Sequence, residues 1–399
     1  MGATLTTVDA ILKEVYEPGI NEQLNNDVVT LRRIERSSEG ITNEVGGKYV
    51  SFPIHTKRNS GVGARLEGDD LPTAGNQAYA GARVSLKYQY GRVQLTGQTI
   101  ELADKNFQAF ASAMQEELNG LQSDLAVDLN RQVYGNGTGA IQQITGTTPD
   151  WTITSDEGLQ VGMYVDLGTF SGDTFTRVVT GATITAVTAA TDTFSGGSGS
   201  IAANQYIVRN NSGSLSGTLR EWNGLSRIVA ATGAVYNINP STEPIWAATV
   251  DANGGTPRAL TEALMILNTD RVRKLGSKVS VIFCNLGVRR AYFNLLVAAR
   301  AFTNTKEFAG GFSGLTFTTD AGEIPVVVDV NAPPKTMYGL TEKEIKVYRE
   351  GDWSFMDRDG SKWSRVANKD AYEATLYQYS ELGTHRRNAH FKIADITEG

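Results

Sequence analysis

The residues of this sequence that could carry chemistry are few and scattered. One cysteine, Cys284, and three histidines, His55, His385 and His390, supply all its thiol and imidazole. A nucleophilic thiolate needs an electropositive, partly exposed setting. Cys284 instead sits in the apolar run KVSVIFCN at 278–285 and reads as a core residue. With no second cysteine, no intramolecular disulfide can form, which suits folding in a reducing compartment. His385 and His390 stand five residues apart, a spacing that on one strand puts them on opposite faces, unable to share a metal. The glycine cluster GNGTG at 135–139 could cradle a phosphate, but it follows a helical pattern and lacks the Lys-Ser/Thr pair, so a turn is expected. DRDG at 357–360 opens like a calcium loop. Lys362 falls where that loop needs glycine and Asn368 where it needs a bidentate Glu, so a hairpin turn is expected here too. GFSG at 311–314 is one residue short of the G-x-S-x-G elbow of a serine hydrolase. No catalytic residue, cofactor or metal ligand is assigned, and the sequence reads as that of a non-enzyme.

What remains are charges suited to contacts between molecules. Arg32, Arg33 and Arg36 cluster in LRRIERSSEG, and a glycine-rich loop sets Lys57, Arg58 and Arg65 against Glu67, Asp69 and Asp70. The chain as a whole has 37 basic against 43 acidic residues, a net charge of -6, which is no footprint of a dedicated nucleic-acid binder. The arginines are therefore expected to meet carboxylates of a neighbouring chain. The mixed loop is expected to lock onto another subunit, because such pairs left in water are worth only roughly 0–1 kcal/mol.

Periodicity shows the elements that must position these residues. The first 40 residues break too often to build a core and read as an extended arm with a helical piece. Two strand-like runs, KYVSFPI and ARVSLKYQYGRVQLTG, flank the charged loop and suggest a long ribbon, whose wet faces should need another subunit. Ile100, Ala103, Phe107, Phe110, Met114, Leu118, Leu121, Leu125, Leu129 and Val133 recur at steps of three and four. They predict one amphipathic helix, capped by Thr99 and closed by GNGTG, roughly 50 Å long at 1.5 Å per residue. Its outer face should be acidic, with Asp124 and Asp128 among its carboxylates. Residues 145–216 are rich in Thr, Gly and Ser; short strands (WTIT, MYVDL, FTRVVTGATITAVT, QYIVRN) alternate with turn clusters such as SGGSGS, predicting a small all-β module. Thr256-Pro257 should open a helix ending at Gly276, followed by a buried strand, a second helix and the strands LTFTT and IPVVVDV, an α/β layer. KVYRE, YEATLYQYSEL and HFKIADI close the chain as strands. Asp9, Lys13 and Glu14 interrupt any signal peptide, and no apolar run approaches the roughly 20 residues of a membrane span, so a soluble protein is expected.

In this order of parts the chain resembles the major capsid proteins of tailed double-stranded DNA bacteriophages, with the Hong Kong 97-type fold. GGFSGLTFTTDAGEIPVVVDVNAPPKTMYGLTEKEIKVYREGDWSFMDRDG is similar to that family's passage from a strand through a D-x-x-x-P turn into a new strand. AYEATLYQYSELGTHRRNAHFKIADI is similar to its closing pair of strands. The resemblance implies an α+β fold: an N-terminal arm (1–45), an extended ribbon or E-loop (46–96) and a peripheral domain with the spine helix (97–144). An inserted β domain (145–216), an axial α/β domain (217–340), peripheral return strands (341–385) and a final axial strand (386–399) follow. It implies hexamers and pentamers closing an icosahedral shell around double-stranded DNA held without sequence specificity. Scaffolding and portal proteins would be partners, with no membrane, and the shell would assemble in the host cytoplasm and end in the virion. Because the arm begins almost at Met1, any scaffold is expected to be a separate protein. Some members join ribbon lysines to a neighbour's asparagine. Lys48 and Lys57 lie on this ribbon, but neither the asparagine nor an activating Glu can be identified, so non-covalent locking is expected. Two other readings are an encapsulin-like compartment protein, against which the β module argues, and a β-rich virion surface adhesin, against which the spine helix and α/β layer argue.

Overall fold

The computed structural model describes residues 27–36, 41–42, 49–98, 107–145, 151–153, 158–187, 191–300, 315–319, 322–357 and 362–399. Most of the arm, Lys48, the Thr99 cap, GFSG and most of DRDG lie outside them. The described residues form three six-stranded sheets and one two-stranded ribbon.

A short helix, α1 (Val29–Arg36), and a strand, β1 (Ile41–Thr42), come first. Val28, Leu31 and Ile34 are buried in a core shared with the spine helix, so this piece of the arm already lies on its own chain. Strands β2 (Val50–Lys57) and β3 (Ala78–Val84) pair antiparallel as the ribbon stem. One stem face is covered by its own chain: Ala82 and Val84 are buried, and Phe52, Ile54 and Ala80 half-buried, against Val235, Tyr236, Ile238 and Trp246. The expectation that the stem needs a second subunit for its core is thus corrected. The expected second ribbon strand also divides after Val84. Its latter part, β4 (Lys87–Thr96), leaves the ribbon and pairs with the long closing strand through ten residues, Lys87↔Ser380 to Thr96↔Ala371.

The spine helix, α2 (Phe107–Tyr134), has 28 residues and so runs about 42 Å. It crosses β4 at Gly91, where a Cβ would stand 2.7 Å from Leu125 Cδ1 and would force the facing leucines to shift. Gly135 N donates to Gln132 O where the helix closes, and GNGTG makes the expected turn into the next strand. Asp128 is not on a wet acidic face. It accepts from Arg131 Nε at 3.0 Å, Arg209 Nε at 2.8 Å and Gln132 Nε2 at 2.8 Å. Burial opposes its ionisation, but Arg131 and Arg209 prevail and hold the carboxyl well below the usual range.

The second sheet is built from β5 (Ala140–Gln143), β6 (Trp151–Thr152), β7 (Tyr164–Ser171), β8 (Thr174–Val187), β9 (Thr191–Ser198) and β10 (Tyr206–Arg209), in the order β5-β10-β7-β8-β9-β6. Its core is its own, with Ile144, Val165, Leu167, Val179, Ile184 and Ile207 buried together. It starts at Ala140 and not at 145, because β5 pairs with β10. SGGSGS, expected as a turn, is largely strand: Gly196 pairs with Ala182 and Ser198 with Thr180. The two ends of the module meet, since Ser214 N donates to Thr138 O at 3.0 Å.

After a single-turn helix, α3 (Leu225–Ile228), and β11 (Thr249–Asp251), helix α4 runs Glu262–Lys274. It begins at Thr261, whose Oγ1 accepts from Leu264 N at 3.2 Å, and not at Thr256-Pro257. Strand β12 (Val281–Cys284), helix α5 (Leu286–Arg300), β13 (Thr316–Thr319), β14 (Gly322–Val328) and β15 (Met337–Leu340) follow. β12 and β14 are parallel, as a helical crossover requires. The chain closes with β16 (Ile345–Arg349), β17 (Ser354–Phe355), β18 (Ser364–Arg365), β19 (Ala371–Thr384) and β20 (Phe391–Ile393). β16 to β19 join β1 and β4 in one sheet; β20 returns to the α/β sheet, ordered β11-β20-β15-β12-β14-β13.

One polar hub ties arm, spine and α/β sheet together. Asp329, after β14, accepts from Thr30 Oγ1 at 2.6 Å, Thr30 N at 3.1 Å and Asn130 Nδ2 at 3.0 Å, while Asn130 Oδ1 accepts from Leu31 N at 3.0 Å. Two first-turn amides of α1, which no intrahelical carbonyl can reach, are satisfied this way in a buried place.

Candidate inter-subunit contact surface

The stem holds out a loop, residues 58–77, that its own chain scarcely covers. Internal hydrogen bonds shape its tip: Arg65 Nε donates to Asp70 O at 2.8 Å, Arg65 Nη1 to Ala64 O at 2.9 Å, and Leu66 N to Asp69 Oδ2 at 3.0 Å. Such side-chain-to-backbone bonds fix a turn without a core. Among the described residues Lys57, Arg58, Arg65, Glu67, Asp69 and Asp70 form no ion pair with one another. The sequence reading missed the loop's apolar side chains: Val62, Leu66 and Leu71 are 84%, 81% and 86% exposed. Isolated apolar residues among glycines have no periodicity, but their occurrence in a charged loop was a usable sign.

Among the arginines, Arg33 pairs within its own chain, with Nε 2.6 Å from Glu342 Oε1. Arg32 is exposed on α1, and the Arg36 side chain lies outside the described residues. A second wet surface is the outer face of the sheet made by β4 and β19. There Tyr88, Tyr90, Tyr377 and Tyr379 cluster edge to face or tilted, and Arg92 pairs with Glu373 at 3.3 Å.

Cys284 and His390 are turned inward, whereas His55 is exposed with its Nε2 bonded to Gln77 Oε1. Burial pushes the Cys284 thiol up to about 12 and the His390 imidazole down to about 3. His390 Nδ1 accepts from Thr341 N at 3.2 Å, so the proton sits on Nε2, 3.1 Å from Thr384 Oγ1. A 3₁₀ turn at Arg387–Ala389 separates His385 from His390, so they are not on one strand. Arg387 fills that turn, donating to the carbonyls of Arg227, Ile228, Thr232 and Gly233. Among the described residues no three His, Cys, Asp or Glu side chains gather as a metal site, and no helix is long and apolar enough to cross a membrane.

Comparison with known proteins agrees with this architecture. The family described as SU10 major capsid protein matches residues 200–397. No curated protein matches the chain. Among solved structures, the capsid asymmetric unit of Cyanophage A-1(L) superposes with a TM-score of 0.64 at 14% identity, over 99% of this chain and 100% of that one. The capsid of a native GTA particle gives 0.52 at 9% identity, over 99% of both chains. Microbacterium phage Oxtober96 gives 0.52 at 11% identity, over 98% of both. Residues 200–397 thus match a major capsid protein family, and the fold of nearly the whole chain is shared with phage capsid structures.

Proposed function

We propose that copies of this chain assemble as hexamers and pentamers into an icosahedral head around double-stranded DNA, with scaffolding and portal proteins as partners. The role is structural and not catalytic. The observation that carries the reading is the ribbon, whose stem is anchored on its own chain while Val62, Leu66, Leu71 and six charged side chains stand in water. Such a loop gains only when a neighbour covers it. Arm, ribbon and peripheral sheet would engage several neighbours at once, and linked weak contacts multiply into a stable shell. The α/β sheet would lie towards the capsomer centre and the spine-bearing sheet at its periphery. The β module is an inserted domain facing outward: it has its own core and its ends meet. With a net charge of -6, the chain holds DNA by enclosure more than by affinity. Negative-stain microscopy of the purified full chain tests the reading. Rings of five and six and closed shells are expected; a compact monomer at every salt and protein concentration would sink it.

A further inference from the structure

A groove of about 410 Å³ opens at the root of the ribbon, between the end of β2, the segment around Trp246 and the turn after β19. Lys57, Arg58 and Arg386 line it, and no carboxylate does. Ile245 and Leu275 expose 46% and 41% of their surface along it. The ribbon ladder slips between His55 and Lys57, and this bulge inserts Thr56 into the groove wall. A bulge of this kind re-aims a side chain. Thr56 is only 8% exposed, yet its hydroxyl has no hydrogen-bond partner among the described residues. Arg386 also donates to the Leu275 and Gly276 carbonyls, but a buried hydroxyl beside Lys57 and Arg58, which form no ion pair among the described residues, is a site that lacks its acceptor.

We propose that the acidic turn at residues 66–71 of one copy seats in this groove of a second copy. The idea rests on the ribbon being an inter-subunit lock and names what it locks into. The turn offers the complementary pattern: carboxylates of Glu67 and Asp70 with no cation of their own, flanked by Leu66 and Leu71 at 81% and 86% exposure. Its backbone is already held by Arg65 and Asp69, so little ordering is left for binding. A DNA phosphate backbone would use the three cations but leave Ile245, Leu275, Leu66 and Leu71 wet. Each copy carries both tip and groove on different surfaces, so the contact is head-to-tail and can close rings.

Charge exchange tests the pairing. K57E/R58E and E67K/D70K should each keep the parent's melting temperature but lower the sedimenting, assembled fraction at least about tenfold, as like charges now face each other. A chain carrying all four substitutions restores opposite charges and should recover assembly to within about threefold. In a separate chain, R58C with D70C should give disulfide-linked multimers on oxidation, while D70C alone gives none. The proposal is overturned if either pair of reversals assembles like the parent, or if the fourfold variant stays defective. It is equally overturned if K57E/R58E shells form normally and lose only their DNA, which would make the groove a nucleic-acid contact. Deleting residues 61–75 separates the two levels. If that chain still assembles, the ribbon is not a lock at all; if it does not, and the fourfold variant is not rescued, only the pairing is wrong.

Discussion

The ribbon loop at 58–77 and the β module at 140–209 both leave the body of the protein from a narrow base, and they solve the same problem in opposite ways. The module closes a sheet over Ile144, Val165, Leu167, Ile184 and Ile207, and its wet side carries Thr and Ser. The loop closes over nothing and leaves Val62, Leu66 and Leu71 in water. Burying each of those is worth roughly 1.5–3 kcal/mol. Among the described residues nothing collects that energy, and on the proposed reading a neighbour does. On the same reading an excursion with its own core is a domain that can be lost, and one without a core is half of a contact.

The largest effect follows directly. Removing residues 61–75 should leave a folded subunit with the parent's melting temperature, because the stem core of Phe52, Ala82, Val84, Tyr236 and Trp246 is untouched. Shells should be absent by light scattering. Normal particles from the deleted chain would show that the exposed loop is an idle surface. Next, replacing residues 140–212 with a short Gly-Ser linker should preserve shells and cost only modest stability. Arg209 is lost from Asp128, but Arg131 remains 3.0 Å away, so no buried carboxylate is stranded. An insoluble product would mean that the module is part of the body's core.

The two excursions also differ in how far the sequence revealed them. The module was legible because alternating strands and turn clusters are local signals, and two strands were missed: AIQQ at 140–143, since four residues carry no periodicity, and TDTFSGGS at 191–198, whose glycines and serines read as a turn. The spine, α5, β12 and the strand pair β13–β14 were equally legible. The ribbon was half read. Nothing local in ARVSLKYQYGRVQLTG says that the chain changes partners after Val84, because β3 and β4 pair with strands that begin 34 residues upstream and 284 downstream of Val84–Lys87 respectively. Charge pairing was least legible. Arg33 finds Glu342, and Asp128 finds Arg209, across separations that spacing rules do not reach. The loop charges Arg58, Glu67 and Asp70 are exposed, as a flanking sequence without periodicity suggests.

A paired substitution sharpens the contrast at single-residue scale. Leu167→Ala opens a cavity in the module core and should destabilise that module by about 2–5 kcal/mol, seen as early loss of amide protection in β7 and β8. Leu71→Ser, at 86% exposure, should leave the melting curve of the free subunit unchanged and weaken only assembly. Equal thermal effects from the two would remove the distinction between core-bearing and core-lacking excursions.

The smallest expected effect lies where the module touches the body. Asp173, in the turn between β7 and β8, accepts from Arg227 Nη1 at 2.8 Å and Nη2 at 2.7 Å, a bidentate pair beside α3. Hydrogen bonding to Arg227 lowers the Asp173 pKa below its ordinary 3.8, against the partial burial that would raise it. A carboxyl depressed in the folded state contributes stability that is present above 3.8 and lost as pH falls through its folded value. The Asp173 side chain is 39% exposed, so solvent screening keeps the contribution under about 1 kcal/mol. Asp173→Asn should therefore lower the melting temperature slightly at pH 7 and abolish part of the decline seen below pH 4, with assembly unaffected. The module's own core does not need this anchor, whereas the loop depends on its contacts for everything it buries. A loss of shells in D173N, with the module still folded, would show that its orientation on the body matters to assembly and that the module is no independent passenger.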